Sequence, residues 1–375
     1  MRRSPILPAA SMCLAVLFVT AGFSGPAASG ATRTGSSIPI GFRAQSLSWV
    51  SPTRGWILGT APCASSTCTT VVGTSDGGGT WTTLGSMSAP LMLETDAGVT
   101  EIRFADDLHG WAFGPALWAT RDGGATWKKQ RLPRGGHRVL ALAGDADAVY
   151  SVVSPCRINH VCHEPATLWR TTAGGGTWTQ VPVTLPVSSY AALAVRGAVA
   201  YAAVQSGELD PDVLDVTVDG QTWSARPDPC DKSNNEFLTD VAPVSDTKVA
   251  ILCVANIGFS QAEKRVLRSN DTGQTTSPAG SPPRDGITSE LAAAPNGTLA
   301  VTSWGAAGSW IYRNAGGQTW TTSESLNDFG QGWNDVAFTT NEVGFVVHGP
   351  AAVYPGNRPG ELWKTQDGGL TWFRV

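Results

Sequence analysis

The chain has 375 residues, among them 43 Gly, 24 Pro and 15 Trp, a composition suited to many short strands joined by tight turns and poor in long helices. Its formal net charge is −4 and its 26 Lys and Arg are scattered. No cationic stripe is therefore present to neutralise a row of phosphates, and nucleic-acid binding is disfavoured. From the N-terminus, Arg2 and Arg3 precede an apolar stretch over 9–23 and a small-residue run over 25–31. That is the pattern of an export signal cleaved near 29–31, so residues 1–31 are assigned to a signal peptide. A membrane anchor is the competing reading, but the apolar run is short and interrupted by Ser11 and Thr20, whereas a spanning helix needs about 20 apolar residues. Met12 before Cys13 is not the small residue that lipidation requires. Residues 32–43 read as a linker or closing segment, and no later stretch is apolar enough to cross a bilayer.

From residue 44 to the C-terminus the chain repeats. TSDGGGTW ends at Trp81, TRDGGATW at Trp127, TTAGGGTW at Trp178, TVDGQTW at Trp223, SNDTGQTT at Thr276, RNAGGQTW at Trp320 and TQDGGLTW at Trp372. The glycines permit the positive φ of a tight turn, and the preceding Asp caps N–H groups inside it. The closing Trp opens the next strand and lays a large apolar plate on a neighbour. Asp76, Asp122, Asp271 and Asp367 hold the expected place, Asp219 is displaced in a shortened copy, and the third and sixth copies put Ala173 and Ala315 there, which predicts two weaker corners. Before each corner comes an apolar-aromatic strand such as Leu117-Trp118 or Leu362-Trp363. Earlier still lies a hairpin such as Ile102-Arg103-Phe104 with Gly110-Trp111-Ala112-Phe113. Four strands per unit and seven units predict an all-β chain, a single seven-bladed β-propeller over 44–375 with the Asp corners between third and fourth strands.

This arrangement resembles the BNR or Asp-box propellers, and within them the photosystem II stability and assembly factor-like group. The resemblance implies a non-catalytic assembly or binding module acting on an immature membrane complex or an exported protein. It says little about the site, because sites are grafted onto folds. Sialidases also carry Asp boxes, which makes an exo-sialidase-like or other glycan-directed glycoside hydrolase the rival. Their Arg-Ile-Pro signature is missing, since Gly41-Phe42-Arg43-Ala44 lacks the Ile-Pro, and none of the five tyrosines has a recognisable Glu partner in sequence.

Removing the signal leaves six cysteines, which allow fifteen connectivities. Proximity favours Cys63 with Cys68, Cys156 with Cys162 and Cys230 with Cys253, in an oxidising compartment. The alternation of strands places all three pairs on the face that also carries the long loops expected at 60–70, 154–167 and 348–361. Function concentrates where loops vary on a rigid frame, so that face is the expected binding side. Candidate contacts there are Arg157, His160 and His163, the acidic stretch Glu208, Asp210 and Asp212 with Asp215 behind it, and Tyr354 and Arg358. Two Cys and two His within residues 156–163 invite a zinc reading, but one tight loop does not readily wrap four ligands around a tetrahedral ion, and a disulfide is preferred. The acidic stretch lacks a calcium-loop signature and reads as a solvated turn. No cofactor and no metal are expected. The expected product is a secreted or otherwise extracytoplasmic monomer, without a transmembrane anchor once the signal is removed, that meets a protein or glycan partner.

Overall fold

The computed structural model describes residues 38–350 and 360–375, except Ser65, Arg134, Asn159, Glu208, Phe259 and Phe329. These residues form seven four-stranded antiparallel sheets, each from one contiguous stretch of chain. The inner strands are Arg43–Trp49, Glu101–Phe104, Arg138–Gly144, Ala191–Arg196, Phe237–Pro243, Thr288–Ala293 and Gln331–Phe338. Successive inner strands pack side by side around a central channel. The only helical element among the described residues is one turn, Lys232–Asn234.

Burial explains the composition. Second strands such as Val149–Ser154 and Val199–Val204 are buried at every position, because each lies inside its sheet and is covered on both faces by neighbouring blades. They are accordingly Val- and Ala-rich rather than alternating. Fourth strands are short and exposed, as at Lys128–Lys129 and Thr179–Gln180. Seven apolar clusters fill the seams. Where a Trp closes the corner it faces backward into the seam with the preceding blade: Trp127 meets Phe104 and Trp56, and Trp223 meets Tyr150.

The ring closes by the same device. Trp81 of blade one lies in a cluster with Phe345, Val347 and Leu362 of blade seven, and Trp49 stacks on Phe345 at 4.4 Å. Trp372, the expected closing contact, packs instead with Ala300 and Ile311 in the seam between blades six and seven. A second set of bonds circles the corner face, where a polar side chain of one blade donates to a carbonyl in the next blade's corner. Trp56 reaches Gly123, Tyr150 reaches Gly220, Arg226 reaches Thr272, Arg268 reaches Gly317 and Arg313 reaches Gly368. Lys364 Nζ makes the sixth such bond, from blade seven back to blade one, at 3.1 Å from the Gly77 carbonyl, and among the described residues only the step from blade two to the third corner lacks one. Replacing Lys364 with Met should therefore cost about 1 kcal/mol in urea denaturation. An unchanged midpoint would show that apolar packing alone holds the seam.

Four corners have one geometry. At Asp76, Oδ1 accepts Thr74 Oγ1–H and Thr80 N–H, each at 2.8 Å, and Oδ2 accepts Thr80 Oγ1–H at 2.7 Å, while Gly77 and Gly78 take φ of +69° and +77°. Asp122, Asp271 and Asp367 repeat the bonds, and Asp219 caps Gln221 and Thr222 of its shortened turn. The third corner lacks the carboxylate, and Thr171 Oγ1 is sealed from solvent without a partner among the described residues. None of Gly174, Gly175 and Gly176 there adopts positive φ. The sixth corner corrects the expectation of a weak turn. Strand pairing puts Asn314, not Arg313, at the position of Thr74, and its Oδ1 caps Gly316 N–H while its Nδ2 donates to the Thr319 carbonyl.

Bonds from the Thr80 N–H and hydroxyl hold the Asp76 carboxyl down to about 2. A depressed folded value means this stabilisation is present above the unfolded carboxylate range and is lost as pH falls toward 2. Asp76→Ala should cost about 1 kcal/mol near neutral pH, and the difference from the native chain, followed by urea denaturation, should shrink below pH 3. Ala173→Asp should return only a few tenths, because its corner backbone has abandoned the turn the carboxylate caps.

Candidate functional site

All three expected disulfides are present, with Cα separations of 5.8, 5.4 and 5.6 Å for Cys63–Cys68, Cys156–Cys162 and Cys230–Cys253. Bonding of Cys156 to Cys162 removes both thiols from any zinc set. The stretch 60–70 is not a long loop as expected: strands Gly55–Cys63 and Ser66–Thr74 extend to the bridge, with Ala61 paired to Cys68. The loop 154–167 is a loop. Arg157 leans sideways, its Nη1 3.0 Å from Asp96, and Asp96 also accepts the Ile158 N–H. His160 and His163 are exposed at its rim, as is Asp210 in the next blade. Glu208, Tyr354 and Arg358 lie outside the described residues.

Asp212 and Asp215 are not in a solvated turn. Asp212 is buried, takes the Lys232 Nζ at 2.7 Å and accepts the N–H groups of Ser206 and Leu238. It ties blade four to blade five. Asp228 and Cys230 lie close by, but that sulfur is committed to Cys253 and the lysine already supplies the cation, so the group is structural. Asp215 sits within the strand Val213–Thr217, and burial raises its carboxyl.

The feature that sequence reasoning missed is the channel mouth, a cavity of ≈ 640 Å³ on the same face as the disulfides. Strand pairing explains its lining. The residue three places before the end of each inner strand is, in blade order, Ser46, Glu101, Ala141, Leu193, Asp240, Glu290 and Asp335. Inner strands of adjacent blades splay too far apart to share a ladder, and these side chains bridge them. Asp240 accepts Leu291 N–H at 2.8 Å, Glu290 accepts Asp335 N–H, Asp335 accepts Leu47 N–H at 2.7 Å and Ser46 accepts Ile102 N–H at 3.0 Å. Arg103 forks onto Asp335 at 2.9 and 3.0 Å and touches Glu101 at 3.4 Å, linking blade two to blade seven across blade one. To meet it, Asp335 adopts φ +52° at a bulge in its strand, a conformation a non-glycine residue holds only when its surroundings dictate it.

Four carboxyls and one forked arginine cannot balance. The Glu101 side chain is 41% exposed, yet the ring of strands surrounds it. That enclosure pushes its carboxyl up to about 7, with Arg103 opposing and Asp335 and Asp240 adding to the rise. Asp240 is pushed up to about 6, again by burial first, against the pull of its two backbone N–H bonds. Glu290 stands well above the carboxylate range through burial and the charges of Asp335 and Asp240. Tyr190, at the rim, is driven upward by burial and the same acids, and its hydroxyl donates to the Thr239 carbonyl at 3.0 Å. That is the reverse of an activated phenol nucleophile. Met92, Val161, Val187, Leu209 and Ile257 are exposed in segments on this face.

Residues 85–231 match the family model for the photosynthesis system II assembly factor YCF48. Among solved structures, one described as YCF48 bound to D1 peptide is 17% identical, covers 84% of this chain and 92% of its own, and superposes with a TM-score of 0.53. An α-L-arabinofuranosidase from Fusarium graminearum, in complex with an iminosugar inhibitor, is 13% identical over 89% of this chain and 95% of its own, with a TM-score of 0.49. The GH74 enzyme of Niastella koreensis is 11% identical over 89% and 71%, with a TM-score of 0.33. A search of curated protein sequences finds no match. The chain is thus a seven-bladed propeller, similar over residues 85–231 to the YCF48 assembly-factor family and in fold to the YCF48 structure.

Proposed function

We propose that the protein is an extracytoplasmic, non-catalytic assembly or binding module that holds an extended segment of a partner protein at its channel mouth. The observation that carries this reading is the ≈ 640 Å³ cavity on the disulfide-braced face, which also exposes several apolar side chains. A protein of similar fold has been solved with a peptide bound, which supports a peptide as the ligand class. On this reading residues 1–31 are a removed export signal, the mature chain is a monomer, and Arg157, His160, His163 and Asp210 belong to the outer contact rim. Photo-crosslinking tests it: a crosslinking residue at Tyr190 should capture an envelope protein, and one at Leu370 on the corner face should not. Capture from Leu370 alone would overturn the reading.

The second reading, glycoside hydrolysis, rests on Glu101, whose raised carboxyl in a cavity suits a general acid. Against a sialidase-like version stand the bonded Tyr190 hydroxyl and an Arg103 fully engaged by the protein's own carboxylates. Sugar released from a panel of sialosides and polysaccharides, and lost in Glu101→Gln, would establish an enzyme. No release from the panel would sink it.

A further inference from the structure

We propose that the channel mouth is built for a cationic side chain, a Lys or Arg presented by the partner protein; this rests on the peptide-binding reading above. The cavity has two unlike walls. Blades three and four line it with Leu140, Ala141 and Leu193 and with one cation, Arg138, whereas the acids Glu101, Asp240 and Glu290 line it from blades two, five and six, beside Val241 and Leu291. A long basic side chain has the same division, an aliphatic stem and a charged head. A neutral segment would leave the acids without a counter-charge, an acidic one would be repelled, and a small inorganic cation would make no use of the apolar wall.

The protein's own cations do not fill this role. Arg103 is forked onto Asp335 and reaches Glu101 only at 3.4 Å. Arg138 stands on the apolar side, where its Nη2 donates to the Ser189 carbonyl. Asp240 and Glu290 accept only backbone N–H groups in the hydrogen bonds of the described residues. The upward displacement of Glu101 and Asp240 agrees with a site short of positive charge, and a bound guanidinium or ammonium would return both toward the ordinary range. Tyr190 lines the cavity and is exposed, and its ring would take an apolar neighbour of the basic residue.

The test is an array of immobilised hexapeptides with one fixed central residue and degenerate flanks, probed with the full mature protein at pH 7.5. Central Lys and Arg should be retained about tenfold better than Ala, and Glu worst. At pH 5 the preference should fade as the channel carboxyls take up protons. Glu101→Gln, which keeps an acceptor oxygen but loses the charge, should bring Lys closer to parity with Ala. The unmodified protein alone decides the preference, so a variant that fails to fold leaves the test intact. Retention that ignores the central residue, or favours Glu, overturns the cation proposal while peptide binding stands. No retention of any peptide, together with no crosslink from Tyr190, overturns both.

Discussion

Replacing Arg103 with alanine should destabilise the propeller by about 3 kcal/mol at pH 8 and by clearly less at pH 5.5. The guanidinium bridges blades two, one and seven, donating to Asp335, Ser46 and the carbonyls of Leu47 and Ile102. Burial works against its charge, but Asp335 and Glu101 outweigh that cost and keep it protonated. Without it, four carboxyls face one another around the ring. The sign of the pH effect follows from linkage. Glu101 at about 7 and Asp240 at about 6 lie above their unfolded values, so the folded chain binds more protons than the unfolded one between roughly pH 4 and 7. Stability from these groups is therefore greatest at acid pH and declines as pH rises through 6 and 7. The native protein should already melt a few degrees higher at pH 5.5 than at pH 8, and the variant should show a steeper rise. Arg103→Lys should recover only part of the loss, because an ammonium does not fork onto a carboxylate. Urea midpoints at pH 5.5, 7 and 8 check this, and an equal loss at all three would mean that Arg103 contributes packing rather than charge.

How much of this was legible depends on whether a signal recurs within one blade or only across blades. The Gly-Gly-x-Thr-Trp corners and the Gly-aromatic start of second strands recur locally, and turn chemistry with strand alternation sufficed to count seven units. The disulfides were legible because each pair is near in sequence and the strand alternation brings its members to one face. The channel acids were not, since Glu101 and Asp335 are neighbours only after the ring has closed. One signal was available: aligning blades on the start of each second strand puts Glu101, Asp240, Glu290 and Asp335 in a single column with Ser46. The sixth corner was misread for a related reason, because matching its letters to the other corners shifts Asn314 one place from where strand pairing sets it. Asp212 looked solvated among its acidic neighbours, and nothing local announces that Lys232 folds over it.

Replacing Lys264 with methionine should cost about 3 kcal/mol, as buried carbonyls lose their donor. The residue lies on the third strand of blade five, Gln261–Ser269, where alternation turns Ala262, Lys264 and Val266 to the buried side. At 1% exposure it is among the largest fully buried side chains. Its three N–H groups are shared among four carbonyls, those of Asp285 at 2.9 Å, Pro283 and Gly286 at 3.1 Å and Ala262 at 3.3 Å, with the Tyr312 ring at 5.7 Å. Three of those carbonyls belong to the connection leading into blade six, which meets blade five in a single bridge, Gln261 with Gly286, and the Tyr312 hydroxyl donates to one of them, that of Asp285, at 3.1 Å. The ammonium thus does for this connection what a ladder does elsewhere. Burial pushes the amine down to about 8, so above that pH the folded protein holds fewer protons than the unfolded chain and this group adds stability as pH rises toward 10. The comparison belongs near pH 6.5, where the amine is charged in both states and the titration drops out. Methionine keeps most of the volume and the stem contacts, which separates lost hydrogen bonds from a cavity. Amide hydrogen exchange locates the effect: protection of Ala262 and Gly286, whose N–H groups bond to Arg284 and Ser260, should fall before that of distant blades. A uniform loss across all seven blades, or none at all, would show that the carbonyls find other partners and that the lysine is not what pins the connection.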